Sequence, residues 1–204
     1  MTSSGRLFRA VRIGAAVALA VSSAGCASLF GSSAPPTYDL SVPRHFPVAA
    51  GAPRGQLIIP EPTALSVLDS DKIMVRPASG QVAYLSNVQW SDRLPKLLQA
   101  RILQAFENAS RLKAVGRPSD RLAADYQLVV DVRAFNVAAG ATPAAEVELS
   151  VKVVADRSGR IVTARVFRAQ VPAAATEGPA AMQALDEAFQ RVVTELVTWA
   201  TRLV

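Results

Sequence analysis

Three stretches in the C-terminal half of the chain alternate apolar and polar residues with a period of two, and this pattern constrains the fold more than any other feature. Tyr126 to Val137 sets Leu128, Val130 and Val132 against Gln127, Asp131 and Arg133. Glu146 to Ala155 sets Val147, Leu149, Val151 and Val153 against Glu146, Glu148, Ser150 and Lys152. Arg160 to Val171 sets Val162, Ala164 and Val166 against Thr163 and Arg165. Successive side chains of a strand point to opposite faces, so each stretch is expected to lay its apolar row on a core and its polar row in water. Asp156-Arg157-Ser158-Gly159 reads as a tight hairpin turn between the last two, and Ala138 to Ala145, with Gly140 and Pro143, as a longer loop.

Upstream lie shorter strand candidates: Gln56 to Pro60, Ile73 to Pro77 and Gln81 to Trp90, the last two joined across Ser79-Gly80. The period then changes. Leu94, Leu97, Leu98, Ile102, Ala105, Phe106 and Ala109 recur at steps of three and four, which predicts an amphipathic helix. Ser91 or Asp92 is placed to cap it, and Pro95 fits only in its first turn. A second helix is expected from Gly178-Pro179, with Leu185, Phe189, Val192, Val193, Leu196, Trp199 and Leu203 along one face. Two such helices against these strands predict an α+β domain of two layers, a largely antiparallel sheet covered by both helices.

The N-terminal residues have a different character. Residues 1–12 carry Arg6, Arg9 and Arg12 and no acid, and Ile13 to Val21 is a continuous apolar run followed by Ser22-Ser23-Ala24-Gly25-Cys26. A basic region, a short apolar region and small residues together read as a secretory signal peptide over residues 1–25. Nine helical residues reach about 14 Å, too short for a hydrocarbon core of about 30 Å. Ala24-Gly25-Cys26 resembles the bacterial lipobox, with Ser23 where leucine is usual, so Cys26 is expected to be acylated, palmitate included, and to anchor the mature chain in a membrane. Ala27 is not the aspartate associated with inner-membrane retention, which favours the periplasmic face of the outer membrane. Residues 26–55, rich in Ser, Pro, Ala and Gly, read as a tether to a domain over residues 56–204, with Tyr38-Asp39-Leu40 as a short strand that could join it.

The formal charge of +6 invites a nucleic-acid reading, but three of the 22 basic residues lie in the leader while all 16 acidic ones follow it. The mature chain is close to balanced and its arginines are scattered, so no nucleic-acid partner is expected. Cys26 is the sole cysteine and His45 the sole histidine, so neither a disulfide nor a Cys/His metal site can form within one chain. No GxxxxGK[ST], GxGxxG or GxSxG occurs, so the chain is expected to be no enzyme and to need no cofactor. Asp69, Asp71, Asp92 and Asp125 could be paired acids, but such aspartates usually serve turns and caps. Arg101 interrupts the first helix's apolar stripe, either as an ion-pair or partner-binding residue or with its head at the edge of that face. Tyr84, Asn87, Trp90 and Arg93 lie at a strand-to-helix junction and are the candidate partner-binding residues. Tyr84 and Trp90 could equally wedge the sheet against the helix.

In order, Cys26 with its Pro-rich tether, Tyr38-Asp39-Leu40, Ile58-Ile59-Pro60-Glu61-Pro62, Asp69 to Ile73 with Val75-Arg76, Tyr84 with Asn87 to Pro95, Leu97 to Leu112, Ala124-Asp125-Tyr126 and the Trp199-bearing helix resemble the ABC-type transport auxiliary lipoprotein family. That family includes the PqiC-like lipoproteins of MCE-domain lipid transport systems. The resemblance implies an outer-membrane accessory contacting an MCE-domain protein and its ABC permease and ATPase. It implies intermembrane movement of phospholipids or related hydrophobic molecules, is compatible with a homo-oligomer, and assigns no catalytic residue. The alternative is an accessory lipoprotein of cell-wall synthesis or envelope integrity.

Overall fold

The computed structural model describes residues 34–47 and 54–203. Residues 1–25, Cys26 and, of the expected tether, residues 27–33 and 48–53 lie outside the described residues. From Pro35 onward the chain forms one compact unit. Its strands are β1 Thr37–Tyr38, β2 Arg54–Ile58, β3 Thr63–Ala64, β4 Lys72–Pro77, β5 Ala83–Trp90, β6 Leu112–Gly116, β7 Tyr126–Ala139, β8 Ala144–Ala155 and β9 Ile161–Pro172. Its helices are α1 Leu94–Ala109 and α2 Gly178–Ala200. The class is α+β. The long ladders, β7 with β8 and β8 with β9, are antiparallel, as is the β4–β5 hairpin. The short ladders that β7 makes with β2, β3 and β4 are parallel.

β7 is the spine of the sheet. One edge is occupied along its whole length by β8, and the other is shared by β2, β3 and β4. Its period-two pattern breaks at Arg133, an extra residue between the pairs Val132 with Leu149 and Ala134 with Glu148. The bulge moves the core-facing positions from even to odd numbers, so Leu128, Val130 and Val132 are followed inward by Phe135 and Val137. Asn136 then lies on the other face, opposite Glu146, and is fully buried.

β9 differs from the expectation in which face it buries. Val166 pairs with Ser150 and Ala164 with Lys152, which puts the apolar row on the sheet's outer face. Phe167, opposite Leu149, and Val171, opposite Ala145, hold the core instead. Pairing to β8 sets this register, and the row Val162, Ala164, Val166 follows it outward because a strand cannot turn individual side chains over.

Both helices cover the inner face. α2 buries Leu185, Phe189, Val192, Val193, Leu196 and Val197, while Trp199 at its end is half-buried with its ring edge on Phe167 at 5.4 Å. Leu203, expected on the same stripe, lies past the helix end and is exposed. α1 buries its predicted stripe, but neither Ser91 nor Asp92 caps it. Arg93 is the capping position without a side-chain cap, and the free Leu94 amide donates to the Ser70 carbonyl at 3.0 Å.

The segment read as tether is partly structured. β1 pairs in parallel with Gln89 and Trp90, Leu40 is buried, and residues 39–43 reach both helices. Asp39 pairs with Arg101 of α1, Ser41 donates to Asp186 of α2, and the Pro43 carbonyl accepts from Asn108. Arg101 is thus an ion-pair residue, held against the strap that crosses α1.

Candidate functional site

The strand-to-helix junction from Tyr84 to Arg93 begins with a break in pairing. Lys72 pairs with Gln89, yet Met74, two residues on, pairs with Tyr84, so β5 carries extra residues between these pairs. Asn87 lies in that bulge at φ +58°, in the left-handed region that asparagine tolerates better than most side chains. The bulge re-aims the chain and leaves Asn87 exposed.

Beyond the bulge the backbone is tied on both sides. Gln89 and Ser91 amides donate to the Pro36 and Tyr38 carbonyls of the β1 segment, and Trp90 and Leu94 amides to Asp71 and Ser70. With its backbone donors satisfied in this way the junction is a rigid mount for its side chains. Trp90 points inward, 2% exposed, with its ring edge on Phe135 at 5.7 Å and 83°. The tryptophan is a core residue, and the surface of the junction is made by the other three candidates. Tyr84 is 38% exposed, donates its hydroxyl to the Val67 carbonyl at 3.1 Å and lies under the Lys72 ammonium.

Arg93 reaches Asp69 and, at 3.2 Å, Glu61. The carboxylates hold its pKa above the ordinary arginine value, Asp69 being the main cause. Next to it, Asp92 is held below its ordinary value by Lys96, 2.7 Å away, and by the Arg93 amide. Sequence reasoning selected Arg93 but missed Glu61 and Asp69 as its partners, because they come from loops 32 and 24 residues away. Glu61, Asp92 and Lys96 border an open cleft of about 440 Å³ that also takes in Arg101 and Arg117.

The aspartates weighed as paired acids serve structure. Asp69 holds Arg93, the Asp71 carbonyl accepts from Trp90, and Asp125 accepts the Gln56 amide at 3.0 Å. His45 is exposed in the segment after β1. Among the described residues no three His, Cys, Asp or Glu side chains gather as a metal site, and no helix is long and apolar enough to cross a membrane. What the junction offers is an exposed array of one aromatic, Tyr84, one amide, Asn87, and the ion-paired Arg93 beside a hydrogen-bonded stretch of backbone.

The model of the ABC-type transport auxiliary lipoprotein component family matches residues 38–197. The uncharacterized protein bll6063 of Bradyrhizobium diazoefficiens is 36% identical over 179 residues, which are 86% of this chain and 48% of that protein. The chain therefore spans about half the length of that relative. Among solved structures, protein XCC0632 of Xanthomonas campestris superposes with a TM-score of 0.72 at 29% identity, covering 81% of this chain and 95% of that one. A second uncharacterized protein of known structure shares the fold, with a TM-score of 0.62 at 15% identity over 83% of this chain and 98% of its own.

Proposed function

The chain belongs to the ABC-type transport auxiliary lipoprotein family, and from that premise we propose that it is a lipid-anchored accessory of an ABC/MCE-type system moving phospholipids or related hydrophobic molecules between membranes. In this reading Cys26 is acylated and holds the domain at the periplasmic face of the outer membrane. The domain acts by contact with the MCE-domain protein and its ABC permease and ATPase, and performs no chemistry itself.

The observation that supports the reading best is the extent of the family match, which runs from β1 into the last turns of α2 and so takes in nearly the whole folded unit. The geometry agrees with a contact role: Tyr84, Asn87 and Arg93 stand exposed at either end of a backbone run, Gln89 to Leu94, that is hydrogen-bonded on both sides. An interface anchored on a preordered surface loses less entropy on binding than one that must order first.

The test is affinity purification of the full chain from cross-linked envelopes, with partners identified by mass spectrometry. Recovery of an ABC ATPase, its permease and an MCE-domain protein supports the reading. Recovery of cell-wall synthesis enzymes in their place overturns it in favour of an envelope-integrity role. In the same cells Cys26→Ser should move the protein out of the outer-membrane fraction, and unchanged fractionation and mass would remove the anchor from the account.

A further inference from the structure

β9 has β8 on one side and no strand on the other among the described residues. From Thr163 to Pro172 it pairs one-for-one with Val153 to Ala144, and the one irregularity is at its start, between Val153 and Val154. Its outer edge is thus a long regular row of backbone groups, the kind of edge that proteins otherwise blunt with bulges, inward charges or a covering element. The outer face beside it carries apolar side chains left in water: Ile161 is 56% exposed, Val162 49% and Val166 43%.

The charges along this edge have one sign. Residues 160–172 include Arg160, Arg165 and Arg168 and no acidic residue. Arg165 stacks over the Phe167 ring at 4.9 Å and reaches Glu195 of α2 at 3.5 Å, with both side chains at least half exposed. Arg168 binds Glu148 of β8, which Arg133 also approaches at 3.7 Å. Two carboxylates thus answer the arginines from neighbouring elements, and the strand itself stays cationic. A two-fold self-pair centred on Val166 would set Arg165 diagonally across from its own copy on the same face, with no carboxylate on either strand between them, and like charges across a strand pair are unfavourable.

We infer that the free edge of β9 is a docking site for an extended segment of a different chain, added as an antiparallel or parallel strand, in which acidic residues alternate with apolar ones. The backbone would supply the hydrogen bonds, the outward Val162–Val166 row the apolar contact, and Arg165, on the opposite face of β9, with Arg160 at the start of the strand, the selection for acid. The inference rests on the reading that the chain acts by protein contact, and gives that contact a second surface apart from the junction.

Hydrogen exchange on the full processed chain in detergent, with a ten-residue peptide of alternating valine and glutamate as probe, tests it. The acidic peptide should slow exchange of amides within residues 161–172 at least tenfold and leave β6 unchanged, while the same peptide with lysine for glutamate should have no effect. The double variant Arg160→Glu/Arg165→Glu, checked for an unchanged melting midpoint, should reverse the preference. No protection by either peptide, equal protection by both, or protection that rises with protein concentration in the absence of peptide would each overturn the proposal, the last by showing a second copy on the edge. The readout involves no transporter, so its failure leaves the accessory reading standing, whereas loss of the ABC partners from envelope purification alone leaves the edge standing.

Discussion

Replacing Trp90 by alanine separates the two roles the sequence allowed for it. The side chain is 2% exposed and meets Phe135 edge-on at 5.7 Å, and Phe135 in turn lies 6.4 Å from Phe189 of α2, so the ring joins β5 and β7 to the helical layer. Removing a buried tryptophan costs about 3–5 kcal/mol, of which the edge-to-face pair accounts for about 0.5–1.5 kcal/mol. For a domain of this size each kcal/mol lowers the melting midpoint by about 2–4 °C, so Trp90→Ala should melt about 6–20 °C below the parent. Thermal and urea melts followed by circular dichroism measure this. A cycle with Phe135→Leu should show coupling of about 0.5–1.5 kcal/mol. A Trp90→Ala protein melting within about 2 °C of the parent would refute the core assignment, and reduced partner capture by that folded variant would restore Trp90 to the interface.

Leu40 is 3% exposed under the strap that crosses α1, so Leu40→Ala should cost about 2–5 kcal/mol in a urea melt even though it lies in a stretch of tether-like composition. Arg93→Ala breaks ion pairs whose partners are about 40% exposed, so its melting midpoint should stay within about 2 °C of the parent while capture of the MCE-type partner weakens, most at low salt. Asp92 has a folded-state pKa below its ordinary value, so its stabilisation is complete above the ordinary carboxylate range and is lost as pH falls through the folded value. Asp92→Asn should therefore melt below the parent at pH 7, and the gap should shrink as the pH falls below the ordinary carboxylate range in a pH series of melts. A gap that persists at low pH would contradict the assignment to the Lys96 pair.

The class of the fold was readable because period two and period 3.6 are local signals, and each long element carries enough turns or alternations of its own period to be recognised even where, as at Arg133 of β7, a bulge interrupts it. What depends on pairing was not readable. The bulge at Arg133 changes which parity of β7 faces the core, and only the partner strand β8 reveals it. The same ladder turns the apolar row of β9 outward. β6, with Lys113, Ala114 and Gly116 among its five residues, carries too little pattern to stand out, and it exists because β2 pairs with it in parallel. Residues 35–47 look like a tether by composition, yet a few anchors, Leu40 and the bonds of Asp39, Ser41 and Pro43, hold them on the domain. At the junction, sequence pointed to the right segment because aromatics, an amide and an arginine cluster there, but burial divides them, taking Trp90 inward and leaving Tyr84, Asn87 and Arg93 at the surface.

Under the proposed function, this chain assists movement of lipid between membranes by contact and not by catalysis. The most direct test is the transfer of isotopically labelled phospholipid between inner- and outer-membrane fractions, followed over time in cells with and without the chain and in cells carrying Cys26→Ser. The transfer rate should change when the chain is absent, change in the same way when the anchor is lost, and recover when the parent chain is restored. Transfer at the parental rate in all of these cells would contradict the proposed function.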